Sequence, residues 1–279
     1  MESTDDPVVR RVQARVRSLR LRDVRNRTGL HFIEGFRNFI QALDAGIPME
    51  TIVYSEVLAQ NPAVQKNVRL QKRAGVPVLR MAPGQFRSIS GTARASGIGA
   101  IVRQHWTSLA DADPRQSVCW IALSSLRSPG NIGTIFRTAE AAGVGGVLLI
   151  GDKVDPFDPA VIRASMGGVF RLRLVRCTLE ELSKWKSLRG CRFWGTSPSA
   201  DEIYTEASVD SPLVVLFGDE RRGLAPEELA LCTQTSRIPI MGRADSLNVG
   251  VAAGVILYEV VRRCTVAKAD VLDGRDALA

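Results

Sequence analysis

The strongest constraint on the fold is a succession of short apolar runs in the second half of this 279-residue chain. Residues 118–123, 146–150 and 213–217 carry almost no polar alternation, so none has an obvious solvent face. Strands of that kind belong in a parallel sheet covered on both sides. Helical stretches separate them: residues 134–142, halted by Gly143, and a closing helix over 249–263 that is rich in small residues at its start. With a further strand at 192–196, the pattern predicts an α/β domain.

The first half alternates differently. The spacing predicts a helix over 34–45 stopped by Gly46, a strand at 51–54, a polar helix over 64–74 stopped by Gly75, and strands at 76–79 and 98–102. Charge separates the halves as well. Residues 1–110 hold 17 Lys and Arg against 8 Asp and Glu, a net of +9. The remaining residues hold 20 against 21, a net of −1, within a whole-chain charge of +8. The polar, aperiodic stretch 105–117 reads as a linker, giving domains 1–108 and 116–279.

The basic excess is concentrated. Arg10, Arg11, Arg15, Arg17, Arg20, Arg22, Arg25 and Arg27 fall on a stretch whose Val12, Val16 and Leu19 mark one helical stripe. Asp23 is the only acid between Arg10 and Arg27, so these arginines lack the partners of an ion-paired helix face. Guanidinium groups match phosphate with a planar fork. The apolar stripe is thin and has no aromatics, which favours nucleic acid over a membrane surface.

Several chemistries are excluded. No run of about 18 uncharged apolar residues is present, so no membrane-spanning helix is expected. The acidic start Met1-Glu2-Ser3-Thr4-Asp5-Asp6 carries no sign of a secretory leader. Cys119, Cys177, Cys191, Cys232 and Cys264 are scattered without a C-x-x-C, which reads as reduced thiols of a cytoplasmic protein. The only histidines, His31 and His105, lie in the basic half, so neither a metal site nor a histidine-driven triad is expected in the second. No phosphate-binding G-x-x-x-x-G-K-[ST] occurs, and aromatic residues are only 6% of the chain, too few for an aromatic base-stacking platform.

Ligands of open parallel sheets sit beyond the carboxyl ends of the strands, and three such ends carry unusual loops. The first is Ser128-Pro129-Gly130-Asn131-Ile132-Gly133, leading to Arg137, with Asn131 placed to cap a helix. The second is Gly218-Asp219-Glu220-Arg221-Arg222-Gly223-Leu224, followed by Pro226 and acids that suit a helix start. The third runs from Ile238-Pro239-Ile240 to Ser246-Leu247-Asn248-Val249.

In this order, N-x-G-x-x-x-R, G-x-E-x-x-G-L, and I-P-I followed by S-L-N-V resemble the three motifs of the SpoU (TrmH-like) RNA 2′-O-methyltransferases. The likeness spans roughly residues 118–263. The first half is similar to the L30e-type substrate-binding domain that many members carry, on Phe32-Ile33-Glu34-Gly35 and Ala42-Leu43-Asp44-Ala45-Gly46. The resemblance implies a SPOUT α/β domain with a parallel sheet and a C-terminal trefoil knot, an exception to unthreaded chains. It also implies bound S-adenosylmethionine and a homodimer whose active site spans both chains.

Carried over by motif position, Gly218, Ile238 and Leu247 hold the cofactor, with Thr196, Leu216 and Val249 as neighbours. Arg137 is then the catalytic arginine, and Asn131, Glu220, Ser246 and Asn248 line the transfer site. Arg221 stands where many relatives have a small residue. The implied substrate is structured RNA, with 23S-type ribosomal RNA ahead of tRNA. A tRNA 2′-O-methyltransferase and a non-catalytic RNA-binding protein that keeps the fold are the alternatives.

Overall fold

The computed structural model of the protein describes residues 6–276, with side chains through Cys264. It divides into two compact units. In the first, the chain runs through α1 (Pro7–Ser18), α2 (Arg22–Thr28), β1 (Leu30–Glu34), α3 (Phe36–Asp44), β2 (Met49–Tyr54), α4 (Pro62–Arg73), β3 (Val78–Arg80), α5 (Pro83–Arg87) and β4 (Ile98–Arg103). The strands form a four-stranded sheet in the order β1-β4-β2-β3. β4 pairs antiparallel with both β1 and β2, and β3 runs parallel to β2. Asp6 starts α1 by accepting the Val8 amide, with Pro7 supplying a pre-set first turn.

Two expectations fail locally. The helix expected over 34–45 starts only at Phe36, because residues 30–34 are a strand and Gly35 turns the chain at φ 100°. The basic helix over 10–27 is broken at Leu19-Arg20-Leu21, although no glycine or proline interrupts it. The Arg25 guanidinium donates to the carbonyls of Leu19 (2.9 Å) and Arg20 (2.7 Å), taking over acceptors that a continuing helix would have satisfied. Leu19 itself is buried against Val16, Phe86 and Ile101 in the core of this unit.

The second unit holds β5 (Trp120–Ser124), α6 (Pro129–Ala141) and β6 (Gly146–Ile150). α7 (Pro159–Ser165) follows in sequence but belongs to the first unit. The second unit resumes with β7 (Arg173–Cys177), α8 (Leu179–Arg189), β8 (Arg192–Thr196), β9 (Glu202–Ile203), β10 (Leu213–Phe217), α9 (Pro226–Leu229), β11 (Gln234–Arg237) and α10 (Val249–Asp276). Its sheet has seven strands in the order β7-β6-β5-β10-β8-β11-β9, and every neighbouring pair is parallel. Every residue of β5 and β10 is buried, as the unbroken apolar runs require. One face packs Trp120, Leu148, Val175, Phe193 and Val214 against Leu182 and Trp185 of α8. The expected α/β architecture with its parallel sheet is present, alongside a smaller α/β unit.

The boundary expected between 1–108 and 116–279 needs two corrections. The first unit comprises residues up to His105 together with Asp155–Phe170, which enter from between β6 and β7. The cause is specific: the Asp155 carboxylate pairs with buried Arg25, and Phe157 stacks on His31 at a ring-centroid distance of 4.7 Å. The expected linker, in turn, packs within the second unit. The Thr107 amide donates to the Leu174 carbonyl at 2.8 Å, Arg176 lies over the Trp106 ring at 4.5 Å, and Ala112 is fully buried.

Candidate active site

The loop after β10 is a pinned hairpin. Asp219 and Gly223 exchange both backbone hydrogen bonds at 2.9 Å, and the Asp219 carboxylate accepts the amides of Arg221 (2.9 Å) and Arg222 (3.1 Å). Those amides hold the Asp219 carboxyl below its ordinary range. Gly218 is obligatory here, since a Cβ would lie 2.2 Å from the Gly223 carbonyl oxygen. Gly223 supplies the left-handed residue, at φ 69°.

Glu220 points toward the start of α6. It accepts from the Ser128 amide at 3.0 Å, the Arg127 amide at 3.3 Å and Asn131 Nδ2 at 3.4 Å. The expected cap is displaced by three residues. Ser128, not Asn131, caps α6, which begins at Pro129, and Asn131 falls in the first turn. Its side chain is thereby free for Glu220 and for Asn248, whose Nδ2 donates to Asn131 Oδ1 at 2.9 Å. Asn248 Oδ1 in turn accepts the Gly250 amide at the start of α10. Asn131, Glu220 and Asn248, drawn from three separate motifs, thus form one connected network.

Beside this network lies a cavity of about 330 Å³. Thr196, Gly218, Ile238, Leu247 and Val249 line it, as do Glu220 and Ser246. Leu216 does not; it is buried in β10, and its carbonyl accepts from Thr196 Oγ1 at 3.0 Å. Sequence reasoning missed one buried polar pair nearby. Ser124, the last residue of β5, donates to Glu228, whose other carboxylate oxygen accepts the Ala225 amide at 2.8 Å. The signal was the acid three residues after Ala225 at a proline-started helix. Burial pushes the Cys119 and Cys177 thiols up to about 12 and Cys232 up to about 11, which disfavours the reactive thiolate at each. Among the described residues, no cluster of His, Cys, Asp or Glu could hold a metal ion.

Arg137 stands apart. It is exposed on α6 on the same helical stripe as Gly130 and Thr134, does not line the cavity, and has no partner among the described residues. The helix α10, packed against α6, carries its own exposed apolar positions: Val251 and Tyr258 are each 53% accessible.

The basic stretch is divided in use. Arg10, Arg11, Arg15, Arg17, Arg20 and Arg27 are exposed and Arg22 is partly so, but Arg25 is 2% accessible. The expectation that Arg25 faces RNA is corrected: its charge is engaged by Asp155 and by the carbonyls ending α1. Others are engaged at the surface. Arg15 pairs with Glu50 at 2.5 Å, Arg17 donates to Ser88, and Arg20 donates to the carbonyls of Ile89 and Ser90 at 3.0 Å.

Comparison with known proteins supplies the remaining findings. The model of the SpoU rRNA Methylase family matches residues 119–258, and that of an MRM3-like substrate binding domain matches residues 11–100. The chain is 30% identical to a 23S rRNA (uridine(2479)-2′-O)-methyltransferase of Streptomyces viridochromogenes, over 87% of this chain and 86% of that one. It is 26% identical to the 23S rRNA (guanosine(2553)-2′-O)-methyltransferase RlmP of Bacillus subtilis, over 88% and 93%. Among solved structures, an AdoMet-bound rRNA methyltransferase from Sinorhizobium meliloti superposes with a TM-score of 0.84 at 32% identity, covering 94% of this chain and 97% of that one.

Proposed function

The chain belongs to the SpoU rRNA methylase family, and on that premise we propose that it methylates a ribose 2′-hydroxyl of 23S-type ribosomal RNA using S-adenosylmethionine. The observation that carries this reading is the cavity beside the Asn131–Glu220–Asn248 network. Its donor set fits the cofactor. Leu224, Ile238, Ile240 and Leu247 offer apolar walls for a purine, Ser197 offers a hydroxyl, and the Asp219 and Glu220 carboxylates suit a positive charge. When bound, S-adenosylmethionine supplies an electrophilic methyl group on a sulfonium.

The chain's own residues would then orient the acceptor. Asn131 and Asn248 hold the rim in place, with Glu220 fixing the turn before α6 and Ser246 exposed at the mouth. Arg137 would hold the phosphate next to the target ribose and stabilise the negative charge that develops on the 2′-oxygen, the hydroxyl proton passing to solvent water.

Two further features belong to the same reading. Arg137 is exposed and does not line its own chain's cavity, which supports a homodimer in which a second copy packs on the α6–α10 face and receives that arginine. The exposed Val251 and Tyr258 supply apolar surface for such packing. The first unit, with Arg10, Arg11 and Arg27 exposed, would hold the RNA. A trefoil knot and a cytoplasmic location complete the proposal, the latter supported by five unpaired cysteines. Labelled methyl transfer to ribosomal RNA and to tRNA, with the product nucleotide mapped by mass spectrometry, tests it. A 2′-O-methylated nucleotide in 23S-type RNA is the expected product; label on tRNA alone would refute the substrate, and label on neither the activity.

A further inference from the structure

The four residues between Gly218 and Gly223 divide their charges in an unusual way. Both acids serve the protein: Asp219 accepts the amides of Arg221 and Arg222, and Glu220 accepts the amides of Arg127 and Ser128. Both bases leave their guanidiniums uncommitted to hydrogen bonds, Arg222 adding only a weak charge effect on Asp219. Arg221 and Arg222 are exposed, and among the described residues neither guanidinium has a hydrogen-bond or ion-pair partner. Yet both line the cavity mouth.

Their backbone is unusually fixed. The paired bonds of Asp219 with Gly223, the two amides on the Asp219 carboxylate, and the crowding at Gly218 leave the hairpin little freedom. Adjacent guanidiniums on a rigid tip lose little backbone entropy when they meet an anion. A planar fork is also the side chain best matched to phosphate oxygens. An exposed arginine pair on a flexible loop would need no such pinning for solubility alone.

We propose that Arg221 and Arg222 form a preorganised clamp for the RNA phosphodiester that flanks the target nucleotide as it enters the cavity. This rests on the methyltransferase reading of that cavity but is a separate claim about affinity at its mouth. The clamp gives the near-neutral second unit its own grip on RNA, distinct from the arginines of α1. It places backbone recognition within the same loop that shapes the cofactor cavity, so substrate register and reaction site are fixed by one rigid element.

The test compares wild type with Arg221→Ala/Arg222→Ala. Direct RNA binding and KM for RNA are measured across a salt series, and the Kd for S-adenosylmethionine is measured separately. Removing each guanidinium should weaken RNA binding roughly tenfold. The salt slope should fall by about 0.7–0.9 for each phosphate left unneutralised, while cofactor Kd stays within about twofold. An unchanged RNA slope with weakened cofactor binding would overturn the proposal and assign the pair to the cofactor's carboxylate. Loss of both together would overturn it in favour of a loop-shaping role. If wild type transferred no methyl group, the function reading would fail, while direct binding would still decide the clamp.

Discussion

The two units use charge in opposite ways. The first is strongly basic by count, yet a good share of its arginine is internal machinery. Arg25 is buried with Asp155, Arg17 and Arg20 tie α1 and the turn after it to residues 88–90, and Arg15 pairs with Glu50. The second half is neutral by count, yet Arg137, Arg221 and Arg222 are exposed without hydrogen-bond or ion-pair partners among the described residues. Net charge therefore identified the right partner class for incomplete reasons. What matters to a polyanion is which cations remain unpaired and where the fold presents them.

The sharpest way to break this contrast is at Arg137. Arg137→Ala should lower methyl transfer by roughly 10²–10³-fold, the usual loss for a group stabilising developing charge, with cofactor binding intact. Retained turnover would return Arg137 to an ordinary surface role. Arg25 should behave in the reverse manner. Arg25→Met removes the buried partner of the Asp155 carboxylate and leaves it only Arg22, at 3.8 Å, and unfolding of the full chain in urea should show a loss of about 3 kcal/mol. An unchanged midpoint would mean that the pair does not hold Asp155–Phe170 to the first unit.

Removing exposed arginines should cost affinity and leave stability alone. The double Arg11→Ala/Arg27→Ala variant should reduce the salt slope of RNA binding by up to about 0.9 for each duplex phosphate that goes unneutralised, with unfolding unaltered. The smallest effect concerns His31, which is fully buried with no partner on either ring nitrogen. Burial first, then His105 and Arg25, holds its pKa well below the ordinary value. An unfolded histidine titrates near 6.5, so the unfolded chain takes up the proton first as pH falls. Stability is thus fully present above about 6.5 and declines below it. One such histidine removes about 1.4 kcal/mol between about pH 7.5 and 5.5. His31→Leu should flatten that acid limb; an identical limb would point to other groups.

The uneven legibility of the sequence has physical causes. β5, β6 and β10 were readable because central strands of a parallel sheet must be apolar throughout. The strand β7 was not, since Arg173 and Arg176 face outward at the sheet edge and make it look like a polar segment. α8 escaped notice although Thr178 and Glu181 form a capping box at its start. The break between α1 and α2 and the transfer of Asp155–Phe170 to the first unit have no local signal. Both involve Arg25, which bonds the carbonyls of Leu19 and Arg20 and the carboxylate of Asp155, 130 residues away. At the site, the motifs located Asn131, Glu220 and Asn248, but their mutual bonds required the fold to bring three loops together. Leu216, named from the motif resemblance, lies in the core cluster outside the cavity lining, a placement that the motif alone does not reveal.

The central claim is a division of labour: the first unit's exposed arginines hold RNA while the second unit's strand-end cavity carries out the transfer. Steady-state kinetics of the Arg11→Ala/Arg27→Ala variant on ribosomal RNA tests it most directly. The account predicts a raised KM for RNA with kcat and cofactor binding preserved; a fall in kcat at unchanged KM would contradict it.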